Sequence, residues 1–287
     1  MEIYIVDAFT NRRFCGNQAG VAILEPQEPF PEAEFMRSLA EELRYSETAF
    51  VKVCSPGRYS IRYFTPAGEV DLCGHATVAA FTVLRERGRT GPGTYRLSTR
   101  AGELEILVER EDIWMDMAPA RELRPFSSKE KAELNGAYGL TPAHGAKGLD
   151  PALVSTGLAD ILLPVRDREL LSRARQNRTA VADISRRYDA VGFHLFCPEN
   201  GDYTARCRNF APLYGIDEES ATGTANGALT YYLYRRGRLA PGVENRFLQG
   251  DEMGKPSLIR SRLTVLGERI RIQIGGGAVI ALRCQLL

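Results

Sequence analysis

The sequence predicts an α+β protein of two pseudo-symmetric domains, each a β-barrel-like sheet wrapped around a central α-helix. Three observations carry that expectation. Two stretches repeat one another, most of the remaining pattern alternates as strands do, and the two matched helices are apolar on nearly every side. The repeat emerges when "YSIRYFTPAGEVDLCGHATVAAFTVLRERGR" (59–89) is laid over "YTARCRNFAPLYGIDEESATGTANGALTYYLYRRGR" (203–238). In each copy a strand runs into an aromatic-x-Pro turn, Phe64-Thr65-Pro66 and Phe210-Ala211-Pro212. An acidic loop then leads to a glycine that opens a helix. Gly74 and Gly223 stand 149 positions apart, as do Gly88 and Gly237, whereas the prolines are 146 apart, so the second loop is three residues longer. A constant offset over a whole helix marks a duplicated unit.

The elements follow in order. Alternating apolar patterns predict strands at "EIYIVDAF", "ETAFVKV", "YSIRYF", "TYRLST", "ELEILVE" and "IWMDM" in the first half. The second half offers "ALVST", "DILLPV", "GFHLFC", "YTARCRNF", "NRFLQG", "SLIRSRLTV" and "RIRIQI". Ala76 to Leu84 reads as a buried helix, and Arg85 to Gly88 as its basic last turn and glycine stop. Peripheral helices are expected near 32–43, 127–137 and 179–187, and "RFCGNQAG" (13–20) reads as a loop between strands. A helix apolar all round must be buried, which requires a sheet curled about it. The Pro-containing break "MAPARELRP" separates a first domain, 1–118, from a second, 119–276. The last strand, about 277–287, could close either half.

Bulk properties exclude several classes. The 287 residues carry a net charge of +1 with both signs interleaved, which argues against a nucleic-acid binder. No apolar run approaches the ~18 residues of a membrane span, and "MEIYIVDAF" reads as a strand rather than a leader, so a cytoplasmic protein is expected. The six cysteines show no CxxC or Cys/His ligand spacing and read as reduced thiols. With no metal set, P-loop or dinucleotide fingerprint, no cofactor is expected. "GGGAV" leads into another strand and is not a phosphate cradle.

The chemistry-bearing residues gather at the two helix starts. Unpaired N–H groups and the positive end of the macrodipole favour an anion there, and a small carboxylate is the natural guest. The candidates are Cys73 and His75 at the first start and Glu219, Thr222 and Thr224 at the second. Cys73 pairs with Thr222, whose hydroxyl is far too weak an acid–base group for a two-cysteine racemase. Glu47 opens an otherwise apolar strand, with Thr48 and Phe50 on the opposite face. It is either a solvated edge residue or a buried carboxylate able to shuttle a proton. Asn17 sits in a loop that is either a plain turn or a border of the cleft.

These motifs, in order from "VDAFTNRRFCGNQAGV" through "YSETAFV", "YFTPAGEVDLCGHATVAA", "VSTGL", "FAPLYGIDEESATGTANGAL" and "QGDEMGKPS" to "IQIGGGAVI", cover essentially the whole chain. The sequence resembles the PhzF-like (phenazine biosynthesis) family, within the diaminopimelate epimerase-like fold. The resemblance implies an active site between the domains, no cofactor and a homodimer. It implies isomerisation of a substrate like trans-2,3-dihydro-3-hydroxyanthranilate, with Glu47 moving the proton. Gly74 and His75, and Gly223 and Thr224 from the second helix, would bind or polarise the substrate, with Asn17 nearby. Glu219 and His75 would hold an amine or hydroxyl and relay protons. The family's Glu-Asp-Pro-Ala-Thr-Gly-Ser reads here Glu218-Glu219-Ser220-Ala221-Thr222-Gly223-Thr224. The acid is one methylene longer, and loss of the proline should loosen the turn that aims it. Two other functions remain open from the sequence: an epimerase, racemase or lyase using Cys73, and a binding protein that has lost catalysis.

Overall fold

The computed structural model describes residues 1–286, which form two compact units. One comprises Met1–Asp116 together with the segment from Gly275 onward, and the other comprises Met117–Ile274. Among the described residues no helix is long and apolar enough to cross a membrane.

The first unit contains strands β1 (Glu2–Ala8), β2 (Asn17–Leu24), β3 (Glu47–Ser55), β4 (Arg58–Thr65), β5 (Gly68–Val70), β6 (Gly93–Thr99), β7 (Gly102–Glu109) and β8 (Asp112–Asp116). Helices α1 (Ala33–Leu43) and α2 (Gly74–Glu86) interrupt them. β2 pairs antiparallel with β1 and parallel with β3. β4 pairs antiparallel with β3 and parallel with β6, and β6, β7 and β8 follow as a meander. Every residue of α2 from His75 to Leu84 is buried, and the helix packs against β1, β2, β3 and β8. A sheet that touches one helix from so many strands must curl around it. The outer face carries α1, whose Met36, Leu39 and Ala40 pack with Ile3, Phe50 and Phe64.

The second unit repeats this ladder. Its strands are β9 (Arg121–Pro125), β10 (Ala152–Ser155), β11 (Ala159–Pro164), β12 (Gly192–Pro198), β13 (Ala205–Ala211), β14 (Ile216–Glu219), β15 (Glu244–Gln249) and β16 (Ser257–Leu266), and β17 (Arg269–Gly276) leads out of it. Its helices are α3 (Ser128–Gly136), α4 (Arg168–Arg173), α5 (Arg178–Tyr188) and α6 (Gly223–Arg235). β11 is antiparallel to β10 and parallel to β12, and β13 is antiparallel to β12 and parallel to β15, as β1 to β6 are in the first unit. The ladder wraps α6, which packs against β9, β10, β11 and β16. Leu134, Leu171, Val181 and Ile184 of the three outer helices pack with Phe193, Leu195 and Phe210. Side chains of Ser127, Asp167 and Asn177 cap those helices, the first in a reciprocal box with Glu130.

The final strand, β18 (Ala278–Gln285), pairs antiparallel with β1 and belongs to the first unit. Its counterpart is β9 on β10. The matched helices also stop alike. Gly88 and Gly237 take φ of 67° and 66°, and the next residues close the same reverse bond, Arg89 N–H to Leu84 O at 2.8 Å and Arg238 N–H to Leu233 O at 2.9 Å. Short strands β5, β9 and β14 lie in stretches read as acidic loops and as the Pro-containing break, and two further elements differ from expectation. Asn17 begins strand β2 rather than lying in a loop, because its backbone pairs with Ala8 across β1. The short helix α4 has only Leu171 fully buried, too little apolar periodicity to read in sequence.

Candidate active site

The start of α2 collects the chemistry of the first unit. Phe50 faces α1, so strand alternation turns Glu47 and Ala49 toward α2. Glu47 lies beside Ala19 of β2, and its side chain is only 15% exposed. Glu47 is thus partly shielded, between the solvated edge residue and the buried carboxylate of the two readings. Its Oε2 lies 3.2 Å from His75 Nε2, a close approach without hydrogen-bond alignment. His75 Nδ1 has the Asn17 amide nitrogen at 3.3 Å and Cys73 Sγ at 3.4 Å, and Ser46 Oγ is 3.4 Å from Nε2. Burial holds His75 below the usual histidine value, outweighing the Glu47 charge and the Gln18 backbone bond, which favour the imidazolium. The ring is therefore neutral near pH 7. Asn17, Cys73 and Ser46 thus surround the ring, and the Gln18 backbone accepts a ring N–H. Cys73 is the extended N-cap of a helix with no acidic residue in its first turn, so the carboxylate that meets this helix end comes from Glu47 of β3.

A strained loop delivers Asn17. Phe9 and Phe14 both adopt left-handed φ, and Gly16 sits at +69° with the position of a Cβ only 2.3 Å from Ala8 O. The buried Asp7 holds this loop, accepting from Phe14 N–H at 2.6 Å and from Gln18 Nε2 at 3.0 Å. Asp7, Gln18 and Ser46 are positioning residues that sequence reasoning did not single out. The only available signal was a polar "D…NQ" pattern within otherwise apolar strands.

The second unit builds its own polar cluster at the start of α6. Thr222 is again an extended N-cap and again has no acidic residue following in the first turn. Its hydroxyl donates to Glu219. Gln249 then ties the loop down, donating to Glu219 O at 2.8 Å and to Thr222 Oγ1 at 3.1 Å. Its Oε1 accepts from Asn226 Nδ2 at 2.9 Å and from Thr222 N–H at 3.3 Å. The looseness expected from losing the proline at Ser220 is thus countered by a glutamine from β15, and Ser220 itself is buried. Gly223 is buried, and Thr156 donates to Thr224 O at 3.0 Å.

Behind this cluster lie two buried titratable groups absent from the sequence reading. His194, whose Nδ1 is 3.1 Å from Asn209 Oδ1, is pushed down to about 4 by burial. Asp160 is pushed up to about 8, by burial first and then by the charge of Glu219. The structure therefore brings Asn17, Glu47, Cys73, Gly74 and His75 together in one unit. It gathers Glu219, Thr222, Gly223 and Thr224 in the other.

Two matched helix starts, one carrying a carboxylate against a neutral histidine, in barrels of repeated topology define an α+β protein of the epimerase and racemase fold class. The same fold occurs in a probable proline racemase of Agrobacterium radiobacter, which aligns over 100% of this chain and 92% of its own at a TM-score of 0.66 and 15% identity. The family model described as phenazine biosynthesis-like protein matches residues 6–283, and the chain belongs to that family. A PhzF-family phenazine biosynthesis protein of Bacillus anthracis superposes at a TM-score of 0.90 with 29% identity, covering 100% of this chain and 99% of its own. Among curated relatives, a Deinococcus radiodurans protein named "Uncharacterized isomerase" is 37% identical over 96% of this chain and 91% of its own. YddE of Escherichia coli K12, named likewise, is 30% identical over 97% and 96%.

Proposed function

We propose that the protein is an isomerase that needs no cofactor and moves a proton on a small carboxylated substrate, with Glu47 as the acid–base group. The observation that carries this reading is the partly shielded Glu47 carboxylate 3.2 Å from the buried, neutral His75 at the start of α2. A carboxylate can take a proton from an activated carbon and return it elsewhere on the same face. The neutral ring beside it can donate to a developing oxyanion without first losing a proton. The start of α2, beside Glu47, offers the seat for the substrate carboxylate, with Gly74 allowing close approach and Asn17 steering the ring. Glu219 is an acceptor for a substrate amine or hydroxyl, and Gly223 and Thr224 present the same kind of seat on α6. The electron sink is the conjugation of the substrate, as in trans-2,3-dihydro-3-hydroxyanthranilate. The isomerase names of the curated relatives support the reaction class. A cytoplasmic homodimer is part of the same proposal.

A second reading has one specific observation behind it. Cys73 Sγ lies 3.4 Å from His75 Nδ1, close enough for the histidine to activate a thiol for epimerisation or racemisation. Thr222, the matching position, supplies no second base.

The two readings separate in one experiment. Wild type, Glu47→Gln and Cys73→Ala are incubated in heavy water with trans-2,3-dihydro-3-hydroxyanthranilate and a panel of amino acids, and deuterium uptake is followed by mass. Exchange lost in Glu47→Gln and kept in Cys73→Ala supports the first reading. The reverse pattern replaces it with the second. Tight binding of a compound that wild type returns unlabelled would favour a binding protein.

A further inference from the structure

We propose that Glu47, Cys73 and His75 also form a site for a thiophilic divalent cation of the zinc class, and that the seated cation shuts off the acid–base centre. One ligand atom from each residue lies within 4.8 Å of the other two. Tetrahedral zinc, with bonds of about 2.0 Å to nitrogen or oxygen and about 2.3 Å to sulfur, sets nitrogen and oxygen ligands about 3.3 Å apart. It sets nitrogen and sulfur ligands about 3.5 Å apart. His75 Nε2 stands 3.2 Å from Glu47 Oε2 and 3.9 Å from Cys73 Sγ. Both nitrogen-centred spacings are thus within about half an ångström of coordination geometry. The sulfur–oxygen spacing lies within the same 4.8 Å.

The chemistry of the set selects the ion. A thiolate, an imidazole and one carboxylate suit borderline-soft zinc, whereas magnesium and calcium take oxygen ligands. A thiolate and a carboxylate together neutralise a dication, which offsets the cost of burying it at a positive helix end. Binding releases the Cys73 proton to solvent and requires the ring proton on Nδ1, the nitrogen that does not coordinate. There the Asn17 amide, 3.3 Å away, accepts it by turning its oxygen inward. Three protein ligands leave the fourth position for water or for a substrate carboxylate. Binding depends on these side chains alone; the inhibition rests on the isomerase reading, because the ion occupies the carboxylate that would move the proton.

The test is titration of the metal-stripped full chain with Co2+, followed by displacement with Zn2+. The readout is the thiolate-to-cobalt charge-transfer absorption. One cobalt per chain with that band is expected. Cys73→Ser should lose the band and at least about 100-fold in Zn2+ affinity, and Glu47→Gln at least about tenfold. Replacing the exposed Cys54 and Cys284 by serine should leave both unchanged. Thermal melts without metal check that each variant folds. Absence of the band in wild type, or unchanged affinity in Cys73→Ser, overturns the site. In the exchange assay, stoichiometric Zn2+ should stop turnover and a chelator should restore it. Turnover unaffected by bound Zn2+, or abolished by the chelator, overturns the inhibitory role. A cobalt band without turnover on any substrate leaves the site standing and sinks the isomerase reading, while Glu47-dependent turnover without a band does the opposite.

Discussion

Replacing Asp160 with asparagine should remove a loss of stability of several kcal/mol, by order of magnitude, that builds up between pH 4 and 8. Asp160 is 1% exposed, and neither carboxylate oxygen has a hydrogen-bond partner among the described residues. Its pKa rises from the ordinary 3.8 to about 8. Folded protein therefore holds this proton far more tightly than unfolded chain. Below pH 3.8 both states carry the proton and burial costs nothing extra. As pH climbs, the unfolded chain ionises first, so stability falls until about pH 8 and levels beyond. A shift of about four units corresponds to roughly 5 kcal/mol, a large share of the ~5–15 kcal/mol that holds a domain together. His194 works in the opposite sense. Its depressed value costs stability as pH falls from 6.5 to about 4, but it is present in both proteins and cancels in their difference. Urea unfolding of wild type and Asp160→Asn at fixed salt from pH 4 to 9 measures that difference. It should grow in favour of the variant by several kcal/mol and then level. The buried amide of asparagine, itself short of partners, adds a pH-independent cost of about 1–3 kcal/mol, so the slope and not the offset is the readout. Parallel curves for the two proteins would refute the assignment of a buried, protonated Asp160.

Other outcomes follow from single contacts. Gly16→Ala puts a side chain 2.3 Å from Ala8 O at a φ of +69°, and should cost about 1–3 kcal/mol in chemical unfolding while lowering turnover through a displaced Asn17. Arg208→Met strips Glu218 of a two-pronged partner at 2.8 Å and frees the Leu171 and Ala174 carbonyls, so urea unfolding should show a loss of about 3–5 kcal/mol. Gln249→Leu unties Glu219, Thr222 and Asn226 at once, and should cost about 2 kcal/mol or more and raise amide exchange in the 219–226 loop.

Much of this site was legible because its parts are local or repeated. The offset joining Gly74 to Gly223 fixed both helix starts, and both proved to have the same extended N-cap and the same reversed stop. Glu47 was conspicuous as a lone acid opening an apolar strand. Asp160 opens a strand in much the same way, in "ADILLPV", yet it passed unnoticed. Alternation tells which face a residue takes, not how deep that face lies, and α6 covers β11 only through contacts distant in sequence. Gln249 and His194 were hidden for the same reason, since their partners lie 27 and 15 residues away on other elements. The ligand-like gathering of Glu47, Cys73 and His75 is a product of folding, with no spacing rule to announce it.

The strand that completes the first barrel is made after the whole of the second unit. On a ribosome, Met1–Asp116 emerges while β1 still lacks its neighbour β18, and the whole of Met117–Ile274 must be synthesised before that neighbour exists. At about 5–20 residues per second the wait is on the order of ten seconds or more. Throughout it β1 offers an open hydrogen-bonding edge to any passing strand. The second unit has its ladder contiguous in the chain and can close as it leaves the exit tunnel. The half that carries Glu47 can therefore be sealed only after the half translated later has been made.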